Sequence, residues 1–253
     1  MLLLGGLDPS GGAGVTVDAT VVALHGLAPL PIATTTTVQG MRGFEDASPV
    51  PAKVWRRQLD VVLDDGPVAA VKVGYLGTPE LVGDVTAALL ELSRTAKVVV
   101  DPVLSATAGG MTGSAALAVA YREQLAPLAA LITPNVPELV ALADGDPAAL
   151  LEAGAGAVLA KGGHGDGDDA VDELWGGAAP ERFVRPRRSC GPVRGTGCAL
   201  ASAVASRLAQ GATLSAACAG AGDWLAGLLA SMQPRSDELP QPLPLSRGGT
   251  APR

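Results

Sequence analysis

Aromatic side chains are scarce in this 253-residue chain: two Phe, two Tyr and three Trp, 3% in all, while 48% of the residues are hydrophobic. Its core is therefore aliphatic, built on Ala, Val and Leu, and the chain is long enough to bury a substantial one. Charge is scarce too, at 17%, with a net balance of −7. The shortage of cations argues against nucleic-acid or anionic-membrane partners, which call for basic patches. One basic cluster, Arg182 to Arg188, surrounds Pro186 and reads as a solvated connection. No run reaches the ~20 apolar residues of a membrane span. The start, Met1-Leu2-Leu3-Leu4, is too short for a secretion signal and lacks a basic segment. Three cysteines, Cys190, Cys198 and Cys218, show no paired or metal-ligand spacing and read as reduced thiols of a cytoplasmic protein. Two distant histidines argue against a zinc site. The familiar phosphate signatures G-x-x-x-x-G-K-[ST] and strand-borne G-x-G-x-x-G are missing, as is a G-x-S-x-G elbow. A nucleotide enzyme of this composition must hold phosphate by other means.

What is present is alternation. Strand-length apolar runs at Leu2–Leu4, Pro31–Thr37, Val68–Val73, Lys97–Val100, Leu128–Thr133 and Ala157–Ala160 are bounded by Gly, Pro or Asp. Between them lie helix-length segments at Gly14–Leu24, Ala52–Leu63, Pro79–Ser93, Ser114–Leu125 and Pro137–Ala143. The pattern predicts βαβ units and a mostly parallel sheet with helices on both faces. Val171–Trp175 and Arg182–Val184 suit a late hairpin, followed by two Ala-rich helices, Cys198–Gln210 and Thr213–Ala230, with Gly211 closing the first. One domain is expected over 1–232. The remainder, 233–253, is a Pro-rich tail expected to be disordered or loosely draped.

Three groups of residues carry candidate chemistry. Arg194-Gly195-Thr196-Gly197-Cys198 opens a helix, where glycines let backbone N–H groups converge on an anion and the helix dipole adds positive potential. The same field should lower the pKa of the Cys198 thiol and suit it to accept a proton from an attacking hydroxyl. A glycine helix entry beside an inert buried cysteine is the plain alternative. Gly5-Gly6-Leu7-Asp8-Pro9-Ser10-Gly11-Gly12-Ala13-Gly14 runs from the first strand into the first helix, with Asp18 one turn on and Gln39 just past the Thr34–Thr37 run. Its glycines let a ligand approach the backbone closely. Asp18 is otherwise an ordinary acidic residue of a first helical turn. Asp101-Pro102-Val103, Asn135-Val136-Pro137-Glu138 and Lys161-Gly162-Gly163-His164 end further strands. Asp101 and Glu138 are hard oxygen donors that suit hydrated magnesium, or else helix caps and loop charges, and Lys161 suits a phosphate. All sit where ligands bind in open α/β sheets, along the carboxyl edge.

With Lys72-Val73-Gly74 and Thr133-Pro134-Asn135 added, this ordered set resembles the hydroxymethylpyrimidine/phosphomethylpyrimidine kinases of the ribokinase-like superfamily, over roughly residues 2–230. The resemblance implies a three-layer α/β/α fold and a phosphotransferase of thiamine biosynthesis. Its substrates would be 4-amino-5-hydroxymethyl-2-methylpyrimidine and then its monophosphate, with ATP as co-substrate, Mg2+ as cofactor and a homodimer as assembly. It further implies that Gly6, Asp18 and Gln39 contact the pyrimidine, with Tyr75 and Val103 packing on the ring. Asp101, Asn135 and Glu138 would serve the metal, and Lys161 the ATP phosphates. Gly195, Thr196 and Gly197 would form the anion hole, and Cys198 would be catalytic. The family pattern has His where this chain has Arg194, Asn where it has Gly40, and commonly Met or another apolar residue where it has Tyr75. It also has a longer helical segment where this chain has only Asp144–Gly156. A pyridoxal or pyridoxine kinase and a non-catalytic pyrimidine-binding protein are the competing readings.

Overall fold

Strands buried on both faces need no polar alternation, and the run Lys97-Val98-Val99-Val100 shows why. Val98 and Val100 pack into one helical layer and Val99 into the other, as Leu2 and Leu4 do against Leu3. Each such side chain contributes roughly 1.5–3 kcal/mol on burial. The computed structural model describes residues 1–104, 113–163, 167–188, 190–233 and 239–245. The chain runs β1 (Leu2–Leu7), α1 (Gly14–Leu24), β2 (Leu30–Gly40), β3 (Gly43–Pro49), α2 (Ala52–Asp64), β4 (Ala70–Val73), α3 (Pro79–Leu89), β5 (Lys97–Val100) and α4 (Ala115–Ala120). It continues through β6 (Leu131–Ile132), α5 (Val136–Ala143), α6 (Pro147–Glu152), β7 (Val158–Ala160) and the hairpin β8 (Asp169–Trp175) and β9 (Glu181–Pro186). Last come β10 (Val193–Arg194), α7 (Thr196–Ala209), α8 (Leu214–Ala230) and β11 (Gln241–Pro242).

Among the described residues β1 to β9 form one sheet in the order β3-β2-β1-β4-β5-β6-β7-β8-β9. The run from β2 to β7 is parallel, and β3, β8 and β9 are antiparallel. Helices α2 to α6 cover one face around the fully buried Trp55 and Tyr121. Helices α1, α7 and α8 cover the other. The layers are α/β/α, as expected. From β1 the chain winds one way through β2 and the other way from β4 onward, so the strand order reverses between β1 and β4. A crevice opens outside the carboxyl ends at such a point.

Three findings differ from the sequence reading. Strand β3 was not foreseen, because Glu45, Asp46, Ser48 and Pro49 are exposed and leave no apolar pattern; it exists as the partner that covers the edge of β2. Helix α6 is a separate short helix, capped by the Asp146 side chain on the Ala148 N–H with Pro147 in its first turn. The tail is not loosely draped at residues 239–245: β11 pairs with β10, and Leu243, 7% exposed, joins the core under α7 and α8. The Gln241 side-chain amide donates to the carbonyls of Cys190 and Gln233, and Leu245 packs beside Leu243. No helix among the described residues is long and apolar enough to cross a membrane.

Candidate active site

Each strand that ends at the crevice delivers one or two candidate residues to it. Gly6 comes from β1, Tyr75 follows β4, Asp101 and Val103 follow β5, Asn135 and Glu138 follow β6, and Lys161 follows β7. With Gln39 of β2 and the α7 entry Gly195, Thr196, Gly197 and Cys198, they line a single cleft of ≈ 450 Å³, a size that suits a small molecule. His164 lies outside the described residues.

The α7 entry depends on glycine. Gly195 has φ +77°, and a Cβ there would lie 2.4 Å from the Gly12 carbonyl oxygen, so no other residue lets the two loops meet. No side chain caps this helix start, which leaves its first N–H groups free for an anion. The Lys161 ammonium lies beside them, 3.3 Å from where a Cβ of Gly197 would stand.

Behind the entry sits a buried chain of charges. Lys161 Nζ donates to Asp101 Oδ1 at 2.8 Å and is 4.0 Å from Glu138 Oε2. Lys72 Nζ is 3.9 Å from Asp101 and 2.8 Å from Asp18. Burial works against a charge on Lys161, but Asp101 and Glu138 outweigh it and hold its pKa above the ordinary value. Burial likewise opposes the Asp101 charge, and Lys161 and Lys72 reverse it, so that its pKa lies below the usual carboxylate range. For Glu138 burial wins over Lys161, with Asp101 adding repulsion, and its carboxyl is pushed up to about 7. Asn135 and Glu138 also form a reciprocal cap: the Asn135 N–H donates to Glu138 Oε2 at 2.8 Å and the Glu138 N–H to Asn135 Oδ1 at 2.9 Å. The cap fixes the carboxylate at the cleft.

Two expectations need correction. Asp18 does not reach the cleft; it is 1% exposed and its oxygens are taken by Lys72 and by the Ser202 hydroxyl at 2.8 Å. As the fifth residue of α1 it points at the strand β4, under the sheet edge rather than over it. Nor is the Cys198 thiol acidic. Burial pushes its pKa up to about 12, against Lys72, and Asp18 and Asp101 push the same way. Desolvation is the largest influence and outweighs the Lys72 ammonium, which acts the other way. The Gly14 N–H and the Asp101 carboxylate both adjoin the sulfur. At pH 7.5 the ligand-free protein thus holds roughly three orders of magnitude less thiolate at Cys198 than a free thiol of pKa ~8.5 does. Alkylation of Cys198 by iodoacetamide is expected to be correspondingly slow and to climb about tenfold per pH unit up to pH 10 without levelling. Peptide mapping after timed alkylation measures this, and a plateau near neutral pH contradicts it.

Other residues were missed or misread. Asp8, 3% exposed, accepts from Arg194 Nη2 at 3.1 Å, from Gln39 Nε2 at 3.3 Å and from the Ser10 hydroxyl at 2.7 Å. Arg194 Nη1 also donates to the Gly40 carbonyl, so two departures from the family pattern touch each other. Phe44 of β3 meets Tyr75 edge to face, with ring centroids 6.2 Å apart, and Tyr75 stands 3.1 Å from where a Cβ of Gly6 would be. The basic cluster is a solvated connection only in part: Arg182 and Arg188 are exposed, whereas Arg185 and Arg187 are held. Arg185 lies on β9, its side chain 12% exposed, against Asp172, Asp223 and the Ala219 carbonyl. Arg187 donates to the carbonyls of Gly162, Gly167 and Asp169, and both arginines line the cleft with Leu225 and Leu229 of α8. The available signal was the concentration of cations in one segment of an acidic chain.

Comparison with known proteins accords with this geometry. The family model described as phosphomethylpyrimidine kinase matches residues 8–240. A bifunctional thiamine-biosynthesis protein of Geobacter sulfurreducens is 39% identical over 244 residues; the match spans 92% of this chain and 50% of that protein, so the chain covers half the length of that relative. A hydroxymethylpyrimidine/phosphomethylpyrimidine kinase of Streptomyces coelicolor is 37% identical over 240 residues, 90% of this chain and 88% of that one. Among solved structures, an ADP complex of Bacillus subtilis pyridoxal kinase superposes with a TM-score of 0.87 at 26% identity, over 98% of both chains. The fold is ribokinase-like, and kinase relatives with bound adenine nucleotide support ATP as co-substrate.

Proposed function

We propose that this chain, which belongs to the phosphomethylpyrimidine kinase family, transfers the γ-phosphoryl group of ATP to the hydroxymethyl arm of 4-amino-5-hydroxymethyl-2-methylpyrimidine, and then to its monophosphate. The observation that carries the reading is the convergence of the α7 entry, Lys161, Glu138 and Gln39 on one cleft. The ring lies between Tyr75, Phe44 and Val103, against Gly6, with Gln39 at its polar edge. The triphosphate rests on the N–H groups of Gly195 to Gly197 with Lys161, and the nucleotide extends toward Arg185, Arg187 and α8. Asp18 is not part of this pocket.

The thiol acts without ionising. As the substrate oxygen attacks the γ-phosphorus, its proton passes to the Cys198 sulfur while the Cys198 proton passes to Asp101; the bond to ADP breaks and ADP leaves with the electron pair. Asp101 becomes a competent acceptor when Lys161 turns from it to the phosphates, because burial then acts on its charge with less opposition. The chemical step otherwise rests on position and on the amide cluster.

Magnesium belongs to the proposal. The Glu138 carboxylate and the Asn135 amide oxygen are too few for an all-protein cage, but they would suit an ion that keeps most of its waters; Asp101, which takes the proton and is held by Lys72 and Lys161, is not among its ligands. The ion supplies neutralisation of phosphate charge. Glu138→Gln keeps the shape of the cap and is expected to raise the magnesium concentration for half-maximal rate on the order of tenfold, with an unchanged thermal midpoint or a small gain. Initial rates across a magnesium titration measure it; an unshifted half-point removes Glu138 from the metal site. A homodimer and a cytoplasmic location remain part of the proposal.

A second reading, a pyridoxal kinase, is favoured by the closeness of the Bacillus subtilis structure and by Tyr75 in the ring pocket. ATP consumption with the pyrimidine alcohol, its monophosphate, pyridoxal and pyridoxine tests both. A kcat/KM for the pyrimidine at or below that for pyridoxal overturns the first.

A further inference from the structure

The cluster of Asp8, Gln39, Gly40 and Arg194 has a logic that the phosphoryl chemistry does not use. Asp8 and Arg194 are each 3% exposed and form an ion pair at 3.1 Å. A buried carboxylate held by a guanidinium can only accept hydrogen bonds, so the atom that Gln39 turns toward Asp8 must be its nitrogen. The Nε2–Oδ2 distance is 3.3 Å. The other guanidinium nitrogen holds the Gly40 carbonyl, which fixes the backbone next to Gln39. The carboxamide of Gln39 is thus pinned at both its nitrogen and its backbone. What remains for the cleft is its oxygen, which accepts, and its second N–H, which donates.

We propose that Asp8 and Arg194 are positioning residues for substrate choice: by fixing which way the Gln39 carboxamide faces, they select a ring that carries an exocyclic amino group beside an unprotonated ring nitrogen. This rests on the kinase reading for the placement of the ring. The amino group donates to the Gln39 oxygen and the ring nitrogen accepts from the second N–H. The oxo counterpart of the same ring offers the reverse pattern, a carbonyl oxygen beside a protonated ring nitrogen, and meets oxygen with oxygen and N–H with N–H. It is admitted only if the carboxamide turns over, which would bring the Gln39 oxygen against the Asp8 carboxylate. The ring cannot turn over instead, because its hydroxymethyl arm must face the α7 entry. Arg194 sits directly before Gly195 in that entry, so one residue joins the selecting amide to the phosphate-holding loop.

Equilibrium binding separates this proposal from the activity itself. Dissociation constants of the aminopyrimidine alcohol and its 4-oxo counterpart are measured by calorimetry for the wild type and for the double variant Asp8→Asn/Arg194→Met, with ATP turnover followed in parallel. Arg194 donates to the same Asp8 oxygen as Gln39 and would hold an asparagine oxygen there, so the guanidinium is removed as well; the asparagine then presents either an oxygen or an N–H to Gln39, and the carboxamide is free to turn. The wild type is expected to favour the amino ring, and the double variant to reduce that preference on the order of tenfold, the worth of one buried mismatched hydrogen bond. A general loosening of the cleft weakens both ligands alike and leaves their ratio unchanged; that result overturns the proposal, as does a wild type without preference. Where the double variant does not fold, Asp8→Ala, which leaves Gln39 no acceptor on that side, is read the same way. A wild type that binds with the Asp8-dependent preference yet turns over no alcohol refutes the kinase reading and leaves this one standing. Turnover of the pyrimidine with a ratio indifferent to Asp8 does the opposite.

Discussion

Lys72→Met is expected to destabilise the fold by about 3–5 kcal/mol, because it leaves the Asp18 carboxylate charged, buried and without its cation. Lys72 and Asp18 are each no more than 1% exposed, and the Nζ–Oδ2 distance is 2.8 Å. Desolvation is the largest influence on both: it raises the pKa of Asp18 and works against the charge on Lys72, and the pairing is what keeps the ammonium protonated. Urea unfolding followed by circular dichroism measures the loss. The double variant Lys72→Met/Asp18→Asn removes both charges and is expected to recover more than half of it, since Ser202 can still donate to the amide oxygen. A second readout bears on function. If Asp18 only anchors Lys72, as its position under the sheet edge indicates, the double variant binds the pyrimidine alcohol within a few-fold of wild type. An unchanged midpoint for Lys72→Met, or a double variant that folds well and binds no pyrimidine, contradicts this assignment.

That pair also shows what the sequence can and cannot convey. The layer architecture was legible because doubly buried strands leave continuous apolar runs, and the turns between them are marked by Gly, Pro and Asp. The cleft was legible for a related reason: Gly6, Asp101, Asn135 and Lys161 each follow the end of such a run, and the carboxyl edge of a parallel sheet gathers whatever stands there. What the sequence does not convey is which way a side chain faces once it is there. Asp18 stands one helical turn past a glycine loop in either case; only the approach of Lys72 from β4 decides that it faces inward. The Arg182–Arg188 segment looked solvated because its charges are not spaced to reveal that Arg185 lies flat against Gly222 of α8, in space that a Cβ would fill. Strand β3 escaped notice for the opposite reason, a half-exposed edge with little apolar signal. The Cys198 field was misjudged because a helix start contributes a fraction of a charge, whereas desolvation and the buried charges of Lys72, Asp18 and Asp101 come from distant parts of the sequence.

Cys198→Ala is expected to lower kcat by ~10²–10⁴, the usual worth of a positioned proton acceptor, with the fold and ATP affinity retained. The informative comparison is with Cys198→Ser. A thiolate base predicts that serine is as poor as alanine, because a hydroxyl does not ionise near neutrality. A neutral relay predicts otherwise. The sulfur adjoins the Gly14 N–H and Asp101, and in the proposed relay it takes a hydrogen bond from the one and gives one to the other. A serine hydroxyl accepts and donates in the same sense, and is expected to restore at least ~10-fold over alanine, limited by its shorter bond to Cβ. The pH dependence carries a separate signature. With the thiol pKa pushed up to about 12 by burial, a thiolate mechanism makes kcat rise about tenfold per pH unit from 7 to 9. A relay that keeps the thiol neutral before and after transfer adds no such slope, and wild-type kcat stays within a few-fold over that range. Cys218, buried and likewise pushed up to about 12, serves as the control: it stands in the α8 layer away from the cleft, and Cys218→Ala is expected to leave kcat unchanged. Stopped-flow or coupled rates for the three variants across pH 7–9 decide the matter. Serine no better than alanine, together with a rising wild-type profile, removes Asp101 from the proton path and returns the role of base to an ionised Cys198.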